Sequence, residues 1–212
     1  MMLVTLDHAG IGTGLGADLP AVSLELDEGA PVAIPVEGDE QPLFVSMLLG
    51  GRLRADTGRV LLDGADDLDA LRARTALVDT PWVAEPTGGV PLRTVLMEEL
   101  SFAGLDSSRQ AVAETLRRAG LTEYGPLPNR ALPAAERIRL FSELAVRRPS
   151  VSMIIVTSPE RHGASASDWY APLSAIAERG IIVAIVTDVA TAGALLSLGA
   201  RTPRSLDNSI GS

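Results

Sequence analysis

Apolar positions in this chain fall into short blocks that change period along its length. Residues Ala21–Leu26, AVSLEL, alternate with period two and predict a strand, which Asp27-Glu28-Gly29 ends as a turn. Val32–Val36, VAIPV, predicts a short buried strand, and Val45–Leu49, VSMLL, the apolar part of a helix closed by Gly50-Gly51. After a turn at Asp56-Thr57-Gly58, Arg59–Asp63 predicts a strand, Asp66–Arg74 a short helix, and Thr75–Val78 another strand. Asp79–Pro91 is rich in proline and glycine and predicts a loop. Helical spacing returns at Leu92–Leu100 and Ser108–Ala119, and most strongly at Ala134–Arg148, where Pro149 stops it. Val151–Val156 and Ile181–Val186 are near-continuous apolar runs separated by a helix over Tyr170–Arg179, with a last helix at Val189–Leu198. Such runs predict parallel strands covered on both faces, hence an α/β core. The strands between residues 3 and 64 read as antiparallel, and residues 80–130 as mainly helical.

Composition narrows the function classes. The chain has 212 residues, 46% hydrophobic but only 3% aromatic, so aliphatic side chains must build the core. A formal charge of −9 without a basic stripe argues against a nucleic-acid partner. No apolar run approaches the ~20 residues that span a bilayer, so no direct membrane insertion is expected. The opening MMLVTLDHAG lacks the pattern of a signal peptide, and cysteine is absent, which makes the cytoplasm the expected compartment. All 18 basic residues are arginine. Chemistry that needs a lysine is therefore closed to this chain's own side chains.

Three local patterns suggest chemistry, and none has the context it requires. The glycines from Gly10 to Gly16 lack a strand–glycine–helix unit and suit a hairpin connection better than a dinucleotide loop. His8 and His162 are the only histidines, too few and too far apart in sequence to predict a metal site. Ser158, His162 and Asp168 lack the glycines of a nucleophile elbow.

Five segments in order resemble the ATP-binding cassette (ABC) ATPase domain over about residues 3–200. Leu53–Gly64, LRADTGRVLLDG, resembles the segment after that family's phosphate-loop helix, and Leu71–Val78, LRARTALV, the strand leading to its glutamine loop. Leu132–Leu140, LPAAERIRL, resembles the signature LSGGExxRL. Val151–Pro159 resembles the Walker B strand, and Ile181–Asp188, IIVAIVTD, the strand before the switch histidine. The resemblance implies a P-loop NTPase-like core with a mostly parallel sheet, an antiparallel amino-terminal part and a helical subdomain at about 80–135. It implies one domain over 1–202 and a frayed tail over 203–212.

The same resemblance shows what has been lost. A phosphate loop, GxxxxGK[ST], wraps phosphates in backbone N–H groups, reaches them with lysine and holds Mg²⁺ with a hydroxyl. In that slot stands Val36–Leu43, VEGDEQPL: Gly38 is off the family's glycine positions, Pro42 replaces lysine and Leu43 the hydroxyl residue. Pro42 also removes a backbone donor. Glu37, Asp39 and Glu40 bring negative charge; two unit charges at ~4 Å repel by roughly 1 kcal/mol even in water. Thr157 and Ser158 take the Walker B carboxylate positions, Asp79 the glutamine position, and Pro133, Ala134 and Ala135 the serine and glycines of the signature. The switch histidine is missing between Thr187 and Asp188, and near LDHAGI only His8 offers a ring to stack on adenine.

A catalytically inactive cassette is therefore expected: no ATP hydrolysis, no cofactor, and a regulatory or scaffolding role. The resemblance implies a membrane subunit, an ABC-type partner or a second copy as partners, at the inner face of the membrane. Trp82 in the loop after Asp79 is the candidate docking residue, or else it packs under its own loop. Glu136 and Arg137 are candidate partner contacts beside Pro133, Ala134 and Ala135. The alternative is a divergent ATP-binding transporter subunit. A third reading has Asp39, Glu40, Asp79, Thr157 and Asp188 converging on an acidic cavity for a cation or amine.

Overall fold

The computed structural model describes residues 1–206. Two sheets stand at its centre. Strands β1 (Val4–Ile11), β2 (Leu19–Leu26) and β4 (Thr57–Leu62) form an antiparallel sheet in the order β2-β1-β4. Strands β3 (Val32–Pro35), β5 (Thr75–Val78), β6 (Met153–Thr157) and β7 (Ile182–Thr187) form a parallel sheet in the order β3-β7-β6-β5. The helices are α1 (Gln41–Leu49), α2 (Leu68–Arg74), α3 (Leu92–Phe102), α4 (Arg109–Ala119), α5 (Ala134–Ala145), α6 (Ala166–Ala177) and α7 (Val189–Ser197). Short 3₁₀ turns fill several connections. No helix among the described residues is long and apolar enough to cross a membrane.

The continuous apolar runs are continuous because both faces of the parallel sheet are covered. Every residue of β6 and β7 is buried. Met153, Ile155, Ile182, Ala184 and Val186 face α1 and the antiparallel sheet, meeting Val45, Leu48 and Leu49. Ile154, Val156, Val183 and Ile185 face the opposite way, into a second core with Leu140, Phe141, Trp169, Leu173 and Leu195. Leu92, Leu96, Val112 and Leu116 extend that second core into the helical region between β5 and α5.

The structure differs from the sequence reading at several edges. Strand β1 was given no bounds by the sequence, although the hairpin connection expected at Gly10–Gly16 does join it to β2: its register with its neighbours is broken by shifts between Leu6 and Ile11, and His8 there has φ 51°. These irregularities obscure the period of two. Helix α6 starts at Ala166 rather than Tyr170, because the Asp168 carboxylate accepts from the backbone N–H of Ser165 at 3.2 Å, a capping-box arrangement. Helix α5 ends at Ala145, short of Arg148. The expected tail begins with an anchored residue: Glu25 N–H donates to the Arg204 carbonyl at 2.9 Å, and the Arg204 side chain meets Asp27 at 2.7 Å. The rest of that tail, from residue 207, lies outside the described residues.

Gly58 explains how β4 lies so close to β1. Its φ is +64°, and a Cβ there would lie 2.2 Å from the carbonyl oxygens of Asp7 and His8. Gly58→Ala is expected to destabilise the protein by roughly 3 kcal/mol, because backbone would have to move. Gly64 has φ +84° with open space around it, so Gly64→Ala should cost only the conformational strain, about 1 kcal/mol. Urea unfolding of both variants checks the difference; equal losses would remove the steric explanation.

Candidate functional site: the carboxyl ends of the parallel strands

In open α/β sheets, ligands bind in the crevice beyond the carboxyl ends of the strands. Here those ends are Pro35, Val78, Thr157 and Thr187. Between β3 and α1 runs the loop Val36–Glu40, in the strand–loop–helix arrangement of a phosphate loop. Its chemistry is different. Glu37, Gly38, Asp39 and Glu40 are exposed, and Gly38 turns the chain at φ +100°. Pro42 is buried in the first turn of α1, where its missing N–H costs the helix nothing, and Leu43 is half-buried. Asp39 and Glu40 thus place carboxylates at the positive end of α1, where a bound phosphate would otherwise stand.

The interior of the crevice is occupied by the protein's own side chains. Asp79, at the end of β5, has a fully buried side chain. Arg137 in α5 grips it with three bonds: Nε donates to Oδ1 and Oδ2 at 3.0 Å each, and Nη2 to Oδ1 at 2.7 Å. Arg161 approaches the same carboxylate at 3.2 Å, and Nε2 of His162 lies 2.5 Å from it. Arg161 also donates to the backbone carbonyls of Thr157 and Asp79. Burial pushes the Asp79 carboxyl up, but the hydrogen bonds from His162 and Arg137, with the nearby charges of Arg137 and Arg161, hold it below the usual aspartate value. Arg137 further stacks over the Phe141 ring at 5.4 Å.

A ladder of hydroxyls seals the floor. Thr157 Oγ1 donates to Ser46 Oγ at 2.8 Å and lies 2.8 Å from Thr80 Oγ1; all three residues are buried. Thr187 Oγ1 donates to Glu160 at 2.7 Å. Ser158 adopts φ 47° and ψ 55° and precedes the 3₁₀ turn Pro159–His162. Asp188 is exposed and caps α7 by accepting from Thr191 N–H at 2.6 Å.

These positions correct two expectations. The acidic cavity does not form: Asp39 and Glu40 are exposed on their loop, Asp188 caps a helix, Asp79 is neutralised by arginine, and Thr157 bonds to hydroxyls. Arg137 is not a partner contact, being 5% exposed and committed to Asp79. Glu136 is half-buried and accepts from Arg139 Nε at 2.8 Å, while Pro133 is exposed and Ala134 and Ala135 are half-buried. The imagined triad is likewise not assembled, since His162 turns to Asp79 and Asp168 caps α6. Asp79, Glu85 and His162 do lie close enough to share a metal ion. Arg137 and Arg161 already supply the cationic charge there, so the donor set does not fit a resident metal. Trp82 is 93% exposed at φ 63°, and does not pack under its loop. His8 is exposed, paired with Asp7 at 3.0 Å.

The sequence reading missed Arg137 as the partner of Asp79. The signal was present: Arg137 shares a helical face with Phe141 and Leu144, and a charge on an apolar stripe needs a buried partner.

No family model and no curated protein matches the chain. Solved structures do. A nucleotide-free ATP-binding cassette from an ABC transporter superposes with a TM-score of 0.66 at 16% identity, covering 89% of this chain and 82% of that one. A dimeric cassette in a post-hydrolysis state with ADP and Pi gives 0.65 at 18% identity, covering 92% and 91%. A cassette from Clostridium perfringens, part of an ABC transporter complex, gives 0.59 at 15% identity, covering 87% and 78%. With the parallel sheet, the antiparallel sheet and the intervening helical region in these positions, the chain has the fold of an ABC-transporter ATP-binding cassette.

Proposed function

We propose that this chain is an inactive cassette, a pseudo-ATPase that acts by docking rather than by hydrolysis. The observation that carries this reading is the filled crevice. Asp79, Arg137, Arg161 and His162 satisfy one another where a nucleotide's phosphates and metal would need free donors and carboxylates. Pro42 and Leu43 leave the start of α1 without the lysine and hydroxyl that the phosphate chemistry uses.

The partner is a membrane subunit or another cassette-like chain, as for the transporter complex and the dimers among the similar structures. Trp82, with Val83 at 45% and Phe102 at 81% exposure, supplies large apolar side chains to such an interface. The chain then works at the inner face of the membrane through that partner, as a regulatory or scaffold subunit.

Calorimetric titration of ATP or ADP with Mg²⁺ into the purified protein tests the central part. No saturable heat is expected at millimolar nucleotide. One-to-one binding would favour the alternative, a divergent ATP-binding subunit of a transporter, and would show that the loop holds phosphates without lysine.

A further inference from the structure

Most arginines of this acidic chain stand within ion-pair distance of a carboxylate, but two that meet at one point do not. Arg52 follows the end of α1, and Arg148 follows the end of α5. Arg52 Nη2 donates to the Thr75 carbonyl at 3.1 Å, and Arg148 Nη2 donates to the same oxygen at 2.7 Å. Arg52 Nη1 also donates to Thr75 Oγ1 at 2.6 Å. The buried Nε of Arg148 has no hydrogen-bond partner. Burial, followed by the charges of Arg148 and Arg72, pushes the Arg52 guanidinium down to about 10.

Thr75 opens β5, an edge strand of the parallel sheet. Arginines there cover an open strand edge, and a carbonyl oxygen has room for two donors. Edge protection accounts for the hydrogen bonds. It does not account for two like charges brought together with no carboxylate within ion-pair distance of either among the described residues. Both arginines line a cavity of about 250 Å³, whose walls include Leu77, Val83 and Phe102. Glu99 also lines it, beyond ion-pair distance of either arginine, and burial and the neighbouring Glu98 hold its carboxyl above its usual value. The cavity lies at the amino end of β5, away from the crevice around Asp79.

We propose that this cavity is an oxyanion-binding site, in which Arg52 and Arg148 together bind one carboxylate or phosphate group carried on a short stem. A guanidinium pair matches the lone-pair geometry of either group and gains most when it is partly desolvated. The bound anion relieves the repulsion between the arginines. The volume is below the ~300–1,000 Å³ of sites for drug-sized ligands, so it takes a small group and not a nucleotide. The apolar walls suit the methylenes of such a stem.

The test is calorimetry and thermal unfolding of the full chain with sodium phosphate and sodium glutarate at constant ionic strength. Saturable binding of at least one is expected, with affinity reduced tenfold or more in Arg52→Gln and in Arg148→Gln. Glutamine removes the charge but is too short to reach the Thr75 carbonyl that each Nη2 binds, so thermal unfolding of each variant without anion separates loss of the edge contact from loss of the site. Arg54→Gln, an exposed arginine outside the cavity, should bind as the wild type does. Binding of glutarate alone supports the site with a carboxylate as ligand, and binding of phosphate alone supports it with a phosphate. No saturable heat from either anion with the wild type overturns the proposal, as does binding that both glutamine variants leave unchanged.

Discussion

Arg137→Ala is expected to cost about 3 kcal/mol of folding stability at neutral pH, the lower end of the range for breaking a buried ion pair. The lower end applies because Arg161 and His162 remain beside Asp79 after the truncation. The cost arises less from the lost attraction than from a carboxylate left buried with two of its donors gone. Its pH dependence has a definite sign. Asp79 in the fold is held below its unfolded value, so its stabilising contribution is fully present above about pH 4 and is lost as pH falls through the folded value. Asp79→Asn removes that titration, and the acid branch of its stability curve should be flatter than that of the wild type. Urea denaturation of wild type and both variants at pH 7 and pH 3 checks this. An Arg137→Ala variant within ~0.5 kcal/mol of the wild type would mean that water reaches Asp79 and that the crevice is open.

That ion pair has a structural consequence for the function proposed. Arg137 lies within the segment that resembles the signature, and Asp79 at the position that the resemblance gives to the glutamine. The two bind each other. They tie α5 to the end of β5 through a contact spanning 58 residues of sequence. A rigid frame of this kind suits a chain that presents a surface, with Trp82 in the loop that leaves the same strand end.

How far the sequence reveals this depends on the range of the interactions involved. Strand β5 was legible to the residue, and β6 and β7 nearly so, because a strand buried on both faces has an unbroken apolar signature. Strand β1 was not, because irregular pairing around His8 breaks the alternation that marks a strand. The residue types at the positions given by the resemblance were legible too, since the absence of lysine is a fact of the sequence. The partners of those side chains were not. The Asp79 cluster joins residues 58 and 83 positions apart, and the Ser46–Thr157 bond spans 111. Local period carries no information about such partners. Only the misplaced charge of Arg137 hinted that one existed, and it was read as an exposed contact. The acidic loop shows the opposite limit. Residue types there suggested a shared cavity, but Asp39 and Glu40 complement the start of α1 and face solvent.

Restoring one lost group should therefore damage the protein before it restores any chemistry. Thr157 stands where the resemblance places the metal-binding aspartate. It is 1% exposed, and its hydroxyl joins Ser46 and Thr80 in a buried chain. A carboxylate introduced there by Thr157→Asp loses bulk water and gains only hydroxyl donors. Burial of this kind raises a carboxyl by about 2 units, equivalent to roughly 3 kcal/mol at neutral pH. The sign is opposite to that of Asp79. With the folded value raised, the penalty is absent below about pH 4, grows as pH rises, and levels off above the folded value. Thr157→Val is the comparator: it leaves Ser46 and Thr80 each short of a partner, at about 1–3 kcal/mol, with no pH dependence from the new side chain. Urea unfolding of the two variants between pH 4 and pH 8 separates lost hydrogen bonding from buried charge. If Thr157→Asp proves as stable at pH 8 as at pH 4, and shows Mg²⁺-dependent heat with ATP, the crevice is hydrated and close to a working site. The docking reading would then yield to the divergent ATP-binding subunit. If the penalty grows with pH, the hydroxyl chain and the ion cluster are one repacked interior, and recovering activity would require several substitutions made together.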